Sequence, residues 1–146
     1  MKYASLIIML SITLLSCSKD SVDDSSKRNA LTTGTWKLTA STTDYNKDGV
    51  YEEDSYAILD GCVKDNIYTF QTDGSEITDE GITKCYSSAP QTWTSSWSFS
   101  DNQTRIQFGG VNYQIEELTT TTFRLKGRIP YNVIYTIDIK LTYTKQ

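Results

Sequence analysis

No histidine occurs anywhere in the 146 residues. That absence removes imidazole as a general base, the Ser-His-Asp and Cys-His nucleophile arrangements, and histidine-ligated metal sites. Cysteines number only three, and no two of them have the close C-x-x-C spacing of a redox pair. No Gly-rich phosphate loop is present. Positive charge is also short: 14 Lys and Arg against 18 Asp and Glu give a formal net charge of −4. A mildly acidic chain lacks the basic footprint of a nucleic-acid binder, so no nucleic-acid partner is expected. The acids Asp65, Asp79, Glu80, Glu116 and Glu117 fall in turns and strand ends, with no pattern that brings two carboxylates together for glycosidase chemistry, and they read as solvated surface charge. No enzymatic activity is expected, and no cofactor is required.

What is present begins with Lys2 and the apolar run Leu6 to Leu15, broken only by Ser11 and Thr13. The run is too short for a membrane span, which needs about 20 apolar residues, but it suits the apolar core of a signal peptide. It ends in Leu14-Leu15-Ser16-Cys17, which resembles the lipobox of bacterial lipoproteins. The resemblance implies a signal peptide over residues 1–16, cleavage before Cys17, and acylation of Cys17 by diacylglycerol and a further palmitate-type chain. Several acyl chains give a stable bilayer anchor where one alone gives marginal binding. Residues Ser18 to Lys27 are rich in Ser, Asp and Lys and too polar to repay ordering, so 17–30 is expected to be the lipidated cysteine and a flexible tether. Ser18 after the anchor, rather than Asp, points to the outer membrane, and Lys19-Asp20 resembles a surface-export signal. The anchored domain then faces the periplasm or the cell surface.

Cleavage leaves 130 residues with net charge −5, enough for one domain, expected over 31–146. From Leu31 onward the spacing is period two. Trp36, Leu38 and Ala40 share a face, as do Tyr68 with Phe70, Trp93 with Trp97 and Phe99, Ile106 with Phe108, Val111 with Tyr113 and Ile115, and Phe123 with Leu125. The last strand reads from Val133 through Tyr135, Ile137, Ile139 and Leu141 to Tyr143. Asp73-Gly74, Asp101-Asn102 and Gly109-Gly110 mark turns. The spacing predicts an all-β domain of eight or nine short strands in a meander: a single antiparallel up-and-down β-barrel, with a β-sandwich as the alternative. No segment has the length and stripe of a packed helix.

The stretch Gly34-Thr35-Trp36, set behind a short turn at Asn29 to Thr33, resembles the opening motif of lipocalins. With the lipobox, the acidic D-x-N-x-D-G loop, the Cys62 to Cys85 interval and the YQIEELTTTTFRL hairpin, the chain is similar to lipocalin-like lipoproteins of Gram-negative bacteria. That resemblance implies a barrel carrying a small apolar ligand, with Trp36 closing its base and an arginine packed on the ring. Arg124 is the nearest candidate for the arginine, although alternation turns it away from Phe123 and Leu125.

With Cys17 committed to lipid, Cys62 and Cys85 are an even pair in an oxidising compartment and are expected to form a structural disulfide. Asp44, Asn46 and Asp48, followed by Gly49, have the spacing of a calcium loop. The Val50 carbonyl, Glu52 and Asp54 would complete the ligands, although Ser55 stands where the usual twelfth-position glutamate belongs. A solvated acidic hairpin loop fits the same residues equally well. Trp36, Trp93, Trp97, Tyr113 and Tyr135 are the candidates to line a ligand cup; aromatics at alternating positions also simply fill cores. A filled barrel would instead make the domain a cell-surface interaction or structural module.

Overall fold

Period-two alternation becomes nine strands: β1 (Trp36–Asp44), β2 (Ile67–Phe70), β3 (Ser75–Asp79), β4 (Thr92–Ser96), β5 (Ser98–Ser100), β6 (Arg105–Phe108), β7 (Val111–Leu118), β8 (Thr122–Pro130) and β9 (Thr136–Lys145). The computed structural model describes residues 24–146; the signal segment 1–16, Cys17 and the first part of the tether lie outside them. All pairings are antiparallel, in the order β4-β3-β2-β1-β9-β8-β7-β6-β5. Every strand but β4 and β5 pairs with both its neighbours in the meander, and the first pairs with the last. The ladder itself is not closed, because no hydrogen bonds join its end strands β4 and β5. Trp97 alone separates those two strands in the chain. Its backbone N–H donates to the Gly74 carbonyl at 2.8 Å and its indole N–H to the Gln71 carbonyl at 3.0 Å. One extended segment therefore pairs first with β3 and then, past Trp97, with β6.

Inward side chains of β1, β2 and β5–β9 form a core in which Phe70 meets the rings of Trp97, Phe108 and Phe123 edge-on at 5.4–6.0 Å. Edge-to-face contacts of this kind add to the burial of the rings. The turns follow their residues: Gly109 and Gly110 both have positive φ, as a two-residue type I′ hairpin between right-twisted strands requires.

Three expectations are corrected. The polar leader does not stay a tether to residue 30, because Asp24–Thr32 forms a helix, α1, across one end of the barrel. Its order comes from docking: Leu31 is fully buried, Arg28 lies 5.0 Å over the Trp97 ring, and Lys27 donates to the Gln103 carbonyl at 2.9 Å. Ala40 does not share the inner face with Trp36 and Leu38. A bulge between Leu38 and Ala40 shifts the register, so Ala40 turns outward and Ser41 and Thr43 turn in. The last strand begins at Thr136 rather than Val133. Asn132 Oδ1 accepts the N–H groups of Ile134 and Tyr135, and this local turn takes Tyr131 to Tyr135 out of the ladder and into solvent.

Gly127 in β8 lies beneath the Tyr113 ring, where a Cβ would collide with the aromatic edge. Gly127→Ala is expected to destabilise the fold by about 1–3 kcal/mol, the usual cost of overpacking, read as a lowered midpoint in urea unfolding.

Candidate functional site

Strands β1 and β2 pair only at Trp36–Tyr68 and Lys37–Ile67. Beyond that short contact β1 parts from β2, and the chain between them fills the gap. Thr43 bridges Glu53, the Tyr56 N–H donates to the Ser41 carbonyl at 3.0 Å, and the hydroxyls of Ser41 and Ser55 meet at 2.7 Å. A single helical turn, α2 (Gly61–Lys64), follows, and the Cys62–Cys85 disulfide fastens it to the loop after β3. The disulfide expected from the cysteine count is thus present. This wedge delivers Asn66, buried, to the inner face at the end of the barrel away from α1.

Hairpin register then decides which side chains of β3 join it. Phe70 pairs with Glu76 and Tyr68 with Thr78, and on the far side Glu76 pairs with Ser95 and Thr78 with Trp93. Paired residues share a face, so the inner wall of β2–β4 carries Asn66, Tyr68, Glu76, Thr78, Trp93 and Ser95. Glu76 accepts the Thr78 hydroxyl at 2.6 Å on one carboxylate oxygen and the Ser95 hydroxyl at 2.7 Å on the other. Tyr68 and Tyr143 meet edge-on at 5.3 Å. Burial holds the Tyr68 hydroxyl above its ordinary pKa, against a lowering hydrogen bond with Asn66. Burial pushes Tyr113 up to about 12, and pushes Tyr143 well above the usual value, with Tyr68, Tyr113 and Glu76 adding to the latter. Facing this polar wall, β8 and β9 present Leu125, Ile137, Ile139 and Leu141.

Of the expected ligand-lining residues, Trp36, Trp97 and Tyr113 are buried in the core. Trp93 shares the inner face through its pairing with Thr78 yet stays 42% exposed. Tyr135 lies outside the interior altogether, in the turn that Asn132 organises. The cation on the Trp36 ring is not Arg124, which faces outward and pairs with Glu117 at 2.8 Å. Lys145 holds that place, 4.9 Å from the ring centre and donating to the Ala30 carbonyl at 3.1 Å.

Two members of the polar wall escaped sequence reasoning. Glu80 reads as surface charge but is buried, and Glu76 stands out by nothing in its own type. The difference lay in the turn: symmetric counting from Asp73-Gly74 sets Ile77 opposite Phe70, but the Gln71 N–H donates to the Ser75 carbonyl across a three-residue turn, which sets Glu76 there and hence inside.

In the acidic loop, the Asp44 carboxylate is buried and accepts the N–H groups of Lys47 at 2.6 Å and Gly49 at 2.8 Å. Asp48 accepts from the Val50 N–H and the Asn46 side-chain amide, and Asp54 accepts from the Ala57 N–H. Among the described residues no three His, Cys, Asp or Glu side chains gather as metal ligands. A calcium ion here would have to take over oxygens that already hold the loop's own amides.

The sequence matches the lipocalin-like domain family over residues 32–125, which spans β1 to the first half of β8. No curated protein of similar sequence matches the chain.

The buried tyrosines set a pH limit. A tyrosine whose folded pKa is raised contributes stability that is complete below its unfolded value near 10 and is lost as pH climbs toward the folded value. Stability measured by urea unfolding is therefore expected to fall from pH about 10 to about 12, and Tyr113→Phe should flatten that fall.

Proposed function

The chain belongs to the lipocalin-like domain family, and from that premise we propose that it is a non-catalytic, membrane-anchored binding protein whose barrel holds a small ligand with an apolar body. The observation that carries this reading is Trp93. Among the inward aromatics it is the one that remains open to solvent, and it stands at the end of the barrel away from α1, where the polar wall faces the isoleucines of β9. A ring placed there meets whatever enters. Binding sites of small molecules pair an apolar lining with a few fixed polar groups, and Tyr68, Glu76 and Asn66 supply such groups. The lack of histidine agrees with binding rather than catalysis.

Anchoring is the second part of the proposal. Acylation of Cys17 would hold the N-terminal side of the domain at the outer membrane, with α1 between the lipid and the barrel and the opposite end turned away from the bilayer.

A second reading rests on the turn after β8. Tyr131, Val133, Ile134 and Tyr135 are all more than half exposed and fall within five consecutive residues, and Tyr45 packs edge-on against Tyr131 at 5.4 Å. Exposed apolar patches of this kind mark contact surfaces. On this reading the domain docks another macromolecule through that tip.

Labelling with a radioactive fatty acid is expected to mark the protein and not its Cys17→Ala variant, which should be released from membranes; equal labelling of both removes the anchor. For the barrel, a panel of small amphiphiles should produce a saturable change in tryptophan emission with at least one member, and Trp93→Leu should abolish most of that change. Emission unmoved by the whole panel would turn the assignment to the exposed tip.

A further inference from the structure

The polar wall holds two buried carboxyl groups with no cationic partner among the described residues. Glu76 and Glu80 are 3% and 5% exposed. Neither belongs to any of the four ion pairs among the described residues. Burying an ionised carboxylate is strongly unfavourable unless a cation or several donors meet it. Glu76 has two hydroxyl donors, from Thr78 and Ser95. Glu80 has less: its Oε2 is buried with no hydrogen-bond partner, and so is Oδ1 of Asn66. One step beyond the Ile67–Asp79 pair, these two residues stand opposite each other on neighbouring strands. At adjoining ladder positions two buried acceptor atoms, Glu80 Oε2 and Asn66 Oδ1, thus have no hydrogen-bond partner.

A group bringing N–H donors and positive charge would satisfy both. β8 and β9 contribute apolar side chains to the core, Leu125, Ile129, Ile137 and Ile139, and Lys145, the inward cation of β9, is engaged with Trp36 and Ala30. Trp93, exposed and on the same face as Thr78, offers an aromatic surface of the kind that attracts a cation. A bare metal ion is a poor fit, since among the described residues no three ligating side chains gather. A carboxylate ligand would be repelled.

We propose that the inner wall of β2–β4 is the head-group site for a ligand bearing an ammonium group on an aliphatic body, with Glu80 and Asn66 taking the N–H donors, Glu76 adding charge, and Trp93 flanking the cation. This rests on the carrier reading and sharpens it to a ligand class. The isoleucines of β8 and β9 receive the aliphatic part.

Octylammonium, octanol and octanoate share one chain and differ in the head group, so they separate the two claims. In titrations of the purified chain followed by tryptophan emission, octylammonium should bind at least tenfold more tightly than octanol, with octanoate weakest. Glu80→Gln, which keeps shape and removes charge, should lower the octylammonium affinity about tenfold and leave octanol unchanged. Thermal melting reports whether the variant folds; should it not, Glu76→Gln provides the same comparison. Equal affinities for the three, or a preference for octanoate, would overturn the head-group assignment while leaving a carrier. Absence of binding by all three would overturn it together with the carrier reading.

Discussion

Trp36 joins three parts of the chain that are far apart in sequence. Its indole N–H donates to the Leu31 carbonyl at 2.8 Å, its ring packs on Phe123, and Lys145 lies over its face while donating to Ala30. The first strand, the last strand and the helix before the barrel are thereby fixed to one side chain. The consequence reaches the whole sheet, because among the described residues β1 and β9 are the only sequence-distant strands that pair, and they join the β1–β4 and β5–β9 halves of the ladder. Gly34 before the strand takes a positive φ and lies against the Lys145 stem. The cost is visible at the ammonium, whose pKa burial pulls down. Part of that cost is met by the carbonyl and the aromatic face.

The brevity of the β1–β2 contact shapes the other half of the molecule. Two residue pairs are all that join these strands, so the upper part of β1 is free of β2 and a segment of irregular chain is needed to cover it. That segment has few apolar side chains, with Tyr56 and Leu59 packed on the core, and it is held by backbone bonds and the Cys62–Cys85 bridge. Closing a loop of this length contributes about 3 kcal/mol in the chain-entropy account. The bridge substitutes for the ladder that the strands do not make. It also holds the loop after β3 close to Asp65, whose carboxylate accepts the N–H groups of Ile82 and Thr83.

Most of the fold was legible because period two is a direct consequence of strand geometry. The faces of β6, β8 and the body of β9 came out as alternation predicts, and Gly109-Gly110 was a turn because only that dipeptide chemistry gives two positive φ values cheaply. What alternation cannot see is a one-residue slip. The bulge at Thr39 moved Ala40 out and Ser41 in, and no residue type near it announces the shift. Asn132 could have been suspected as a turn former, yet Val133 and Tyr135 kept perfect phase with the strand that follows. Helix α1 was hidden for a different reason: its composition is that of a leader, and its order comes from what it touches, above all Trp97 and Gln103, neither of which is near it in sequence. The same holds for Lys145, a terminal lysine in sequence and a capping cation in space.

The interior is divided, and the division separates stability from function. On the β6–β9 side the inward positions are branched aliphatic and aromatic residues, the composition expected where burial alone is at stake. On the β2–β4 side the inward positions hold the polar residues Asn66, Glu76, Thr78, Glu80 and Ser95 beside Tyr68, Phe70 and Trp93. Local rules that are obeyed on one wall are broken on the wall opposite, within one sheet and at equivalent ladder positions. Sequences that specify a fold consistently tend to violate such rules where a site requires it. Glu76 is held in place by two hydroxyls on neighbouring positions of the same wall, and the tyrosines around it are kept neutral by burial, so the wall is ordered before any ligand arrives. A polar surface fixed in advance lowers the ordering cost of binding, and on the proposed carrier reading it would do so for the head group of the ligand.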